Sequence, residues 1–318
     1  MCINNTLFLA ILCKLRIFIR IIQLFPTIKL IRSFRAVIDR FMDSIYYRDS
    51  NILLMQQRHQ DRYKYFHELA NTARKYYIDY LRRFTTITPV SRILEIGCGE
   101  GGNLLPFAQL GCYVMGIDIS PTRINQANEF FKNEKQEATF VCQNFIDIVA
   151  PQSIDEQFDI ILIHDVIEHI EPQYKQAFIT HIKHFIKPNG VIFFGFPAWQ
   201  NPFGGHQQIT RGFASKLPFI HLLPNPLYRG LLKLSNIPQN AIDELMSIKR
   251  SKMPVEKFER LANDCGYNIV NRSLWFINPH YRQKFGLKPR RMWKWASLIP
   301  YFRNFYTTSA FYILKIKQ

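Results

Sequence analysis

An apolar segment, Arg92-Ile-Leu-Glu-Ile96, runs directly into the turn Gly97-Cys-Gly-Glu-Gly-Gly102, and a second apolar segment, Val114-Met-Gly-Ile-Asp-Ile119, follows with a carboxylate near its end. The pattern predicts a strand, a tight turn, a helix and a parallel strand, a unit that commits its surroundings to an α/β fold. Gly97, Gly99 and Gly101 lack Cβ atoms, so the turn can be tight and its backbone can lie against a ligand. Asp118, at the tip of the second strand, can accept hydrogen bonds from ribose hydroxyls. Turn and carboxylate together read as the two ends of a nucleoside-binding crevice.

At these residues the chain resembles the class I S-adenosylmethionine-dependent methyltransferases, specifically the small-molecule group that includes the ubiquinone-biosynthesis O-methyltransferases. In that family the first strand ends in an acidic residue two positions before a G-x-G-x-G turn, and Leu94-Glu95-Ile96-Gly97-Cys98-Gly99-Glu100-Gly101 fits. The resemblance covers about Ser50 to the C-terminus. It implies a Rossmann-like, doubly wound, mostly parallel seven-stranded sheet with an antiparallel last strand, a helical N-terminal extension and two insertions. The implied cofactor is S-adenosyl-L-methionine. By resemblance Glu95 sits near the donor's methionine ammonium, and the turn through Gly97, Cys98, Gly99 and Gly101 passes its backbone beside the methionine moiety. Asp118 takes the ribose, and Ile119 packs beside the adenine or fills core. Asn144 and Phe145 occupy the place of the adenine contacts, where many relatives carry Asp; the alternative for Asn144 is a turn residue capping the next segment. His164 is placed in the donor site as well.

The periodicity supports this architecture independently. Apolar strands are predicted near residues 92–96, 112–117, 138–142, 158–163 and 191–196, with amphipathic helices between them, which implies a parallel sheet covered on both faces. The clearest helix spans 172–186 and stops at Lys187-Pro-Asn-Gly190. A helix over 255–265 and strands over 269–276 and 311–316 follow. The expected organisation is a basic apolar segment (1–49), a helical cap (50–88) bearing Arg58, His59, Arg62, Tyr63, Tyr65 and Phe66, and a methyltransferase domain (89–318) with insertions at about 197–253 and 278–307. The first forty residues are apolar but are cut by Lys14, Arg16 and Arg20 before a bilayer-spanning stretch accumulates, and they fit a secretory signal poorly. A start at Met42 is the alternative reading of that segment.

The six cysteines lack paired spacing, which favours free thiols in a reducing cytoplasm over a disulfide framework or a zinc site. The formal charge of +17 is concentrated near the two ends, and no Asp or Glu follows Asp264. Such ends are drawn to anionic surfaces, so peripheral contact with an anionic membrane is the expected partner beyond a small or lipid-like acceptor, ahead of nucleic acid. A simply solvated basic surface is the plainer reading of the same charge.

Methyl transfer from a sulfonium is an in-line displacement, so positioning residues matter more than a conspicuous nucleophile. After the fourth strand, Asp165, Glu168 and His169 stand at i, i+3 and i+4, on one side of a helical turn. In ubiquinone-type enzymes matching residues are taken as a magnesium site, but packing and hydrogen bonding beneath the donor is the preferred reading, and no metal is assigned. The nucleobase N-methylation motif, Asn/Asp-Pro-Pro-aromatic, is missing at this place. His206, in Gly204-Gly-His-Gln-Gln208, is the candidate general base, because imidazole titrates near neutrality and the glycines let its loop approach an acceptor. The aromatic run 196–203, with Phe213, Phe219 and Tyr228, is expected to line an apolar acceptor pocket. The function expected is O-methylation of a small or amphipathic acceptor; the alternatives are an RNA methyltransferase and a non-catalytic donor-binding scaffold.

Overall fold

The computed structural model describes residues 61–317, so the expectations for the segment 1–49 and for the first part of the cap, with Arg58 and His59, lie outside the described residues. One eight-stranded sheet runs through them in the order β3-β2-β1-β4-β5-β8-β6-β7. The strands are β1 (Arg92–Ile96), β2 (Tyr113–Asp118), β3 (Thr139–Cys142), β4 (Phe158–His164), β5 (Ile186–Phe196), β6 (Tyr267–Ile277), β7 (Arg290–Arg291) and β8 (Ser309–Ile316). The first five are parallel, and β8 lies antiparallel between β5 and β6. Strands β1, β4 and β5 are nearly continuous apolar runs because both their faces are covered, and Ile93, Ile161 and Phe193 have no exposed surface.

Strand β1 has β2 on one side and β4 on the other, so the order reverses there. In open α/β sheets that reversal leaves a crevice outside the carboxyl ends of the strands, where ligands bind. The helix after β2, α2 (Pro121–Asn133), starts where Ser120 accepts a hydrogen bond from the Arg123 amide and Pro121 supplies the first turn.

The long helix expected over 172–186 is shorter, Lys175–Ile182 (α3), because Ile186 already pairs with Phe158 and draws Lys187-Pro-Asn-Gly190 into β5. Strand β7 was also not expected: Arg290 and Arg291 pair with Ile277 and Trp275 from a segment that reads as irregular.

Helix α1 (Arg62–Thr72), N-capped by Asp61, continues through a π-type turn, Ala73–Tyr77, to Leu81. It packs against the glycine turn so closely that a Cβ on Gly102 would lie 2.6 Å from the Phe66 carbonyl oxygen. The fully buried Phe66 ring adds roughly 2 kcal/mol of apolar burial to that contact, and Arg62 pairs with the buried Glu100 of the turn.

Between β5 and α6 (Val255–Asp264) the chain builds α4 (Asn225–Leu234) and α5 (Gln239–Ser251), with a core of their own around Trp199, Tyr228, Leu232, Ile242 and Leu245. Among the described residues no helix is long and apolar enough to cross a membrane. The described cysteines Cys98, Cys112, Cys142 and Cys265 are free thiols.

Candidate active site

The glycine turn folds back on the tip of β2. The Gly97 and Cys98 amides donate to the Ile117 carbonyl at 2.7 and 3.0 Å, and the Gly99 amide donates to Oδ2 of Asp118 at 2.9 Å. The other Asp118 oxygen accepts from the Ser120 amide at 2.9 Å, so the carboxylate is locked in place at the crevice floor. Gly97 has φ +73° and a Cβ there would strike Val166 at 2.3 Å, whereas the space beside Gly99 is open except for the Arg123 guanidinium at 3.8 Å.

Glu95 is 1% exposed, in mid-sheet just before the turn. Its Oε1 accepts from Asn103 at 2.7 Å, while Oε2 is buried with no hydrogen-bond partner. Burial pushes its pKa up to about 8, the Asn103 bond working against the rise and the Asp118 charge adding to it. A half-satisfied buried carboxylate is costly unless a donor or cation meets it. Ile119 is 73% exposed at the same edge, an apolar side chain without cover.

Several expected contacts fall elsewhere. The Phe145 ring turns inward between Phe178, His181 and Phe185, at centroid distances of 5.5, 5.0 and 4.8 Å, so it is core and leaves only its backbone near the crevice. Asn144 is exposed and its side chain makes no capping bond. The Cys98 thiol is buried toward Gly116, and Gly101 is glycine because a Cβ would meet the Phe140 and Phe131 rings within about 3 Å. Both ring nitrogens of His164 are engaged within the protein: Nε2 lies 2.9 Å from the Tyr77 hydroxyl and Nδ1 lies 3.3 Å from Oδ2 of Asp165.

Asp165 itself sits at φ +55° with its amide donating to the Gly195 carbonyl. Burial would raise its pKa, but the imidazoles of His164, His206 and His169 outweigh that and bring it down to about 2. Its carboxylate nevertheless opens into the crevice, with 51% of the side chain accessible. Burial and the Asp165 charge raise the pKa of Tyr281, and the same two influences act on Tyr65 and Tyr77. The tyrosines that respond to this charge come from the cap and from the second insertion.

Glu168 is buried with neither carboxylate oxygen hydrogen-bonded, which departs from the hydrogen bonding expected of it. Its Oε1 lies 4.0 Å from Nε2 of His169 and 4.0 Å from Nε2 of His206. His206 reaches this position from a left-handed turn at φ +59°, and burial together with His169 holds its pKa at about 3, far below the near-neutral titration expected of it. The ligand atoms of Glu168, His169 and His206 all lie within 4.8 Å of one another, a set that can hold a divalent cation or receive acceptor hydroxyls. His206, and not Asp165, completes it.

The expected aromatic pocket does not form. Phe196 is in the sheet core, Trp199 and Tyr228 are core to the first insertion, and Phe213 and Phe219 point to solvent. An insertion of this length must bury apolar surface of its own to stay folded, and Trp199 and Tyr228 serve that core.

Residues 93–190, which contain β1, the glycine turn, Asp118 and the Asp165–His169 segment, match the family described as "Methyltransferase domain". They form a class I S-adenosylmethionine-dependent methyltransferase domain. The domain is similar to the ubiquinone biosynthesis O-methyltransferase of Rhodopseudomonas palustris (strain HaA2), 36% identical over 101 residues, which are 32% of this chain and 38% of the relative. The enzyme of the same name from Pasteurella multocida (strain Pm70) is 32% identical over 110 residues, 32% of this chain and 45% of the relative. The chain thus spans less than half the length of these curated relatives. A solved S-adenosylmethionine-dependent methyltransferase from Clostridium acetobutylicum ATCC 824 superposes with a TM-score of 0.49 at 10% identity, over 78% of this chain and 92% of that one.

The surroundings of the methyltransferase domain contribute residues that its motifs do not announce. Tyr65 and Tyr77 come from the cap, and Tyr281 comes from the second insertion, whose His280 Nδ1 lies 3.1 Å from the Thr72 hydroxyl of α1. Aromatic residues just before the first strand and a His-Tyr pair in a basic loop are the only sequence signals for them, and neither is specific.

Proposed function

We propose that the chain transfers the methyl group of S-adenosylmethionine to a hydroxyl of a small or amphipathic acceptor. The observation that carries this reading is the orphaned Oε2 of Glu95 beside the Gly97–Gly99 bend, opposite the locked Asp118. That orphan suits the donor's ammonium, Asp118 retains lone pairs for two ribose hydroxyls, and exposed Ile119 suits one face of an adenine. The donor supplies an electrophilic methyl group on a sulfonium.

In the transfer the acceptor oxygen forms its bond to the methyl carbon as the carbon–sulfur bond breaks, and sulfur keeps the electron pair. His206 takes the hydroxyl proton at Nε2, for which burial keeps the imidazole neutral at physiological pH. Oε1 of Glu168 lies 4.0 Å from that nitrogen; burial and the Asp165 charge bias the Glu168 carboxyl toward its protonated form, and it gains a cation partner as the imidazolium forms. Asp165, Tyr65 and Tyr281 orient the acceptor and exclude water. If the acceptor chemistry calls on a divalent cation, Glu168, His169 and His206 would hold it, and it would supply Lewis acidity toward the hydroxyl.

The test is transfer of labelled methyl groups from S-adenosylmethionine across quinols, phenols, lipids, sugars and RNA. Product formed on a hydroxyl compound supports the reading. Label found only in RNA, or donor binding with no product in any class, contradicts it.

A further inference from the structure

Twenty-one large hydrophobic side chains are exposed among the described residues; six lie in residues 209–234 and six in 295–305, against nine in all the rest. Leu234 is 62% exposed and Leu298 is 70% exposed, so these are not partly covered core residues. The first cluster belongs to the first insertion and the second to the second. They meet where the Phe219 and Phe305 rings lie 6.4 Å apart.

Topology puts both clusters at one end of the molecule. The first insertion leaves β5 after Phe196, the second enters β8 at Ser309, and Phe196 pairs with Ala310 across the antiparallel ladder. That end is the carboxyl end of the parallel strands, where the glycine turn, Asp118 and Asp165 also lie. Ile209 follows His206 by a single short turn.

The charge of this face is predominantly positive. Residues 172–242 and 265–318 contain no Asp or Glu, and the carboxylates that reach these segments from neighbouring helices face arginines, Asp243 beside Arg229 and Glu256 and Glu259 beside Arg303, while Arg211, Lys233 and Lys294 are exposed among the apolar side chains. In α4, Tyr228 and Leu232 point into the insertion core while Leu227 and Leu234 point outward. Contiguous apolar surface on a protein marks a site of contact. Outward leucines with Phe, Tyr and Trp, interleaved with Lys and Arg in excess of carboxylates, complement negatively charged headgroups above an acyl boundary.

We propose that this face docks on an anionic lipid bilayer, with α4 and the 295–305 segment entering the headgroup region. Docking of this kind turns the mouth of the crevice toward the membrane, so the acceptor it serves is an amphipathic molecule that partitions into the bilayer. The docking goes beyond the methyl-transfer reading and does not depend on it.

The experiment is flotation of the full chain with vesicles of phosphatidylcholine alone and of phosphatidylcholine with phosphatidylglycerol in a three-to-one ratio. The bound fraction is expected to be at least about tenfold larger with phosphatidylglycerol and to fall as salt is raised. The double variants Leu227→Ser/Leu298→Ser and Lys233→Glu/Lys294→Glu are each expected to lose at least about tenfold in partitioning, with unchanged thermal midpoint and unchanged affinity for S-adenosylhomocysteine. The proposal is overturned if the wild type stays in solution or if both variants float like the wild type. It is also overturned if the same variants abolish a self-association seen by sedimentation, or an RNA affinity, in place of vesicle binding. Affinity for S-adenosylhomocysteine, read on the same samples, reports separately on the methyl-transfer reading.

Discussion

The Tyr77 hydroxyl in the cap lies 2.9 Å from Nε2 of His164 at the end of β4, and the opposite ring nitrogen of His164 lies 3.3 Å from Asp165. A cap residue thereby fixes the ring that orients a crevice carboxylate. His164 fits only because position 195 is glycine: a Cβ there would come within 2.4 Å of the His164 ring.

Removing that hydroxyl with Tyr77→Phe keeps the ring packing and strands His164 Nε2. The loss is about 1 kcal/mol, which lowers the thermal midpoint by about 2–4 °C in a protein of this size. Turnover is expected to fall more than donor affinity, since Asp165 lies on the acceptor side. Calorimetry and steady-state kinetics on the same variant check both, and an unchanged kcat contradicts the link.

Glu95 predicts a proton-linked donor. Its folded pKa of about 8 lies above the ordinary carboxyl value of 4.5, so its contribution to stability is fully present below about 4.5 and is lost as pH rises through about 8. Glu95→Gln is therefore expected to gain stability over the unliganded wild type as pH rises through that window, by an amount on the order of a few kcal/mol. An arriving ammonium should drive off the carboxyl proton, so wild-type affinity for S-adenosylhomocysteine should rise with pH up to about 8 and flatten above it. Glu95→Gln should bind at least about tenfold more weakly at pH 8, losing a charge-assisted contact. Titrations in buffers of different ionisation enthalpy measure the released proton directly.

His206 is held at a pKa of about 3, first by burial and then by His169. Its neutral form is the folded one, so its contribution to stability is complete above the ordinary imidazole value of 6.5 and is lost as pH falls through about 3. The kcat profile of the wild type should then show no inflection from His206 near neutrality. His206→Ala is expected to reduce turnover by about a hundredfold, the usual scale for a lost general base. Turnover unchanged across pH would remove the role.

A cation at Glu168, His169 and His206 would occupy the same Nε2 that the proton requires. Turnover is therefore expected to survive exhaustive chelation within about twofold, as general-base catalysis at His206 needs no ion. Loss of activity restored by magnesium, manganese or zinc would instead assign His206 as a ligand.

The residues proposed to hold the donor were legible as a group because their arrangement is local. A glycine turn flanked by Glu95 and followed at the next strand tip by Asp118 is readable from spacing, and the structure brings these residues together. Phe145 and His164 were placed in the crevice because their segments are there, but their side chains answer to tertiary packing, against Phe178 and Phe185 in one case and Tyr77 in the other. The residues proposed for the acceptor come from α1, the turn at His206 and the short helix after His280, which are far apart in sequence. No periodicity reports that convergence. The aromatic run after Phe196 was misread for the same reason, since composition does not tell a pocket lining from the core of an insertion.

The account depends most on a donor resting over the Gly97–Gly99 bend with its ribose on Asp118, and isothermal titration of S-adenosylhomocysteine into wild type and Asp118→Ala tests it most directly. Saturable one-to-one binding by the wild type and a loss of at least about tenfold in Asp118→Ala are predicted. No binding by the folded wild type, or equal affinity in the two proteins, would contradict it.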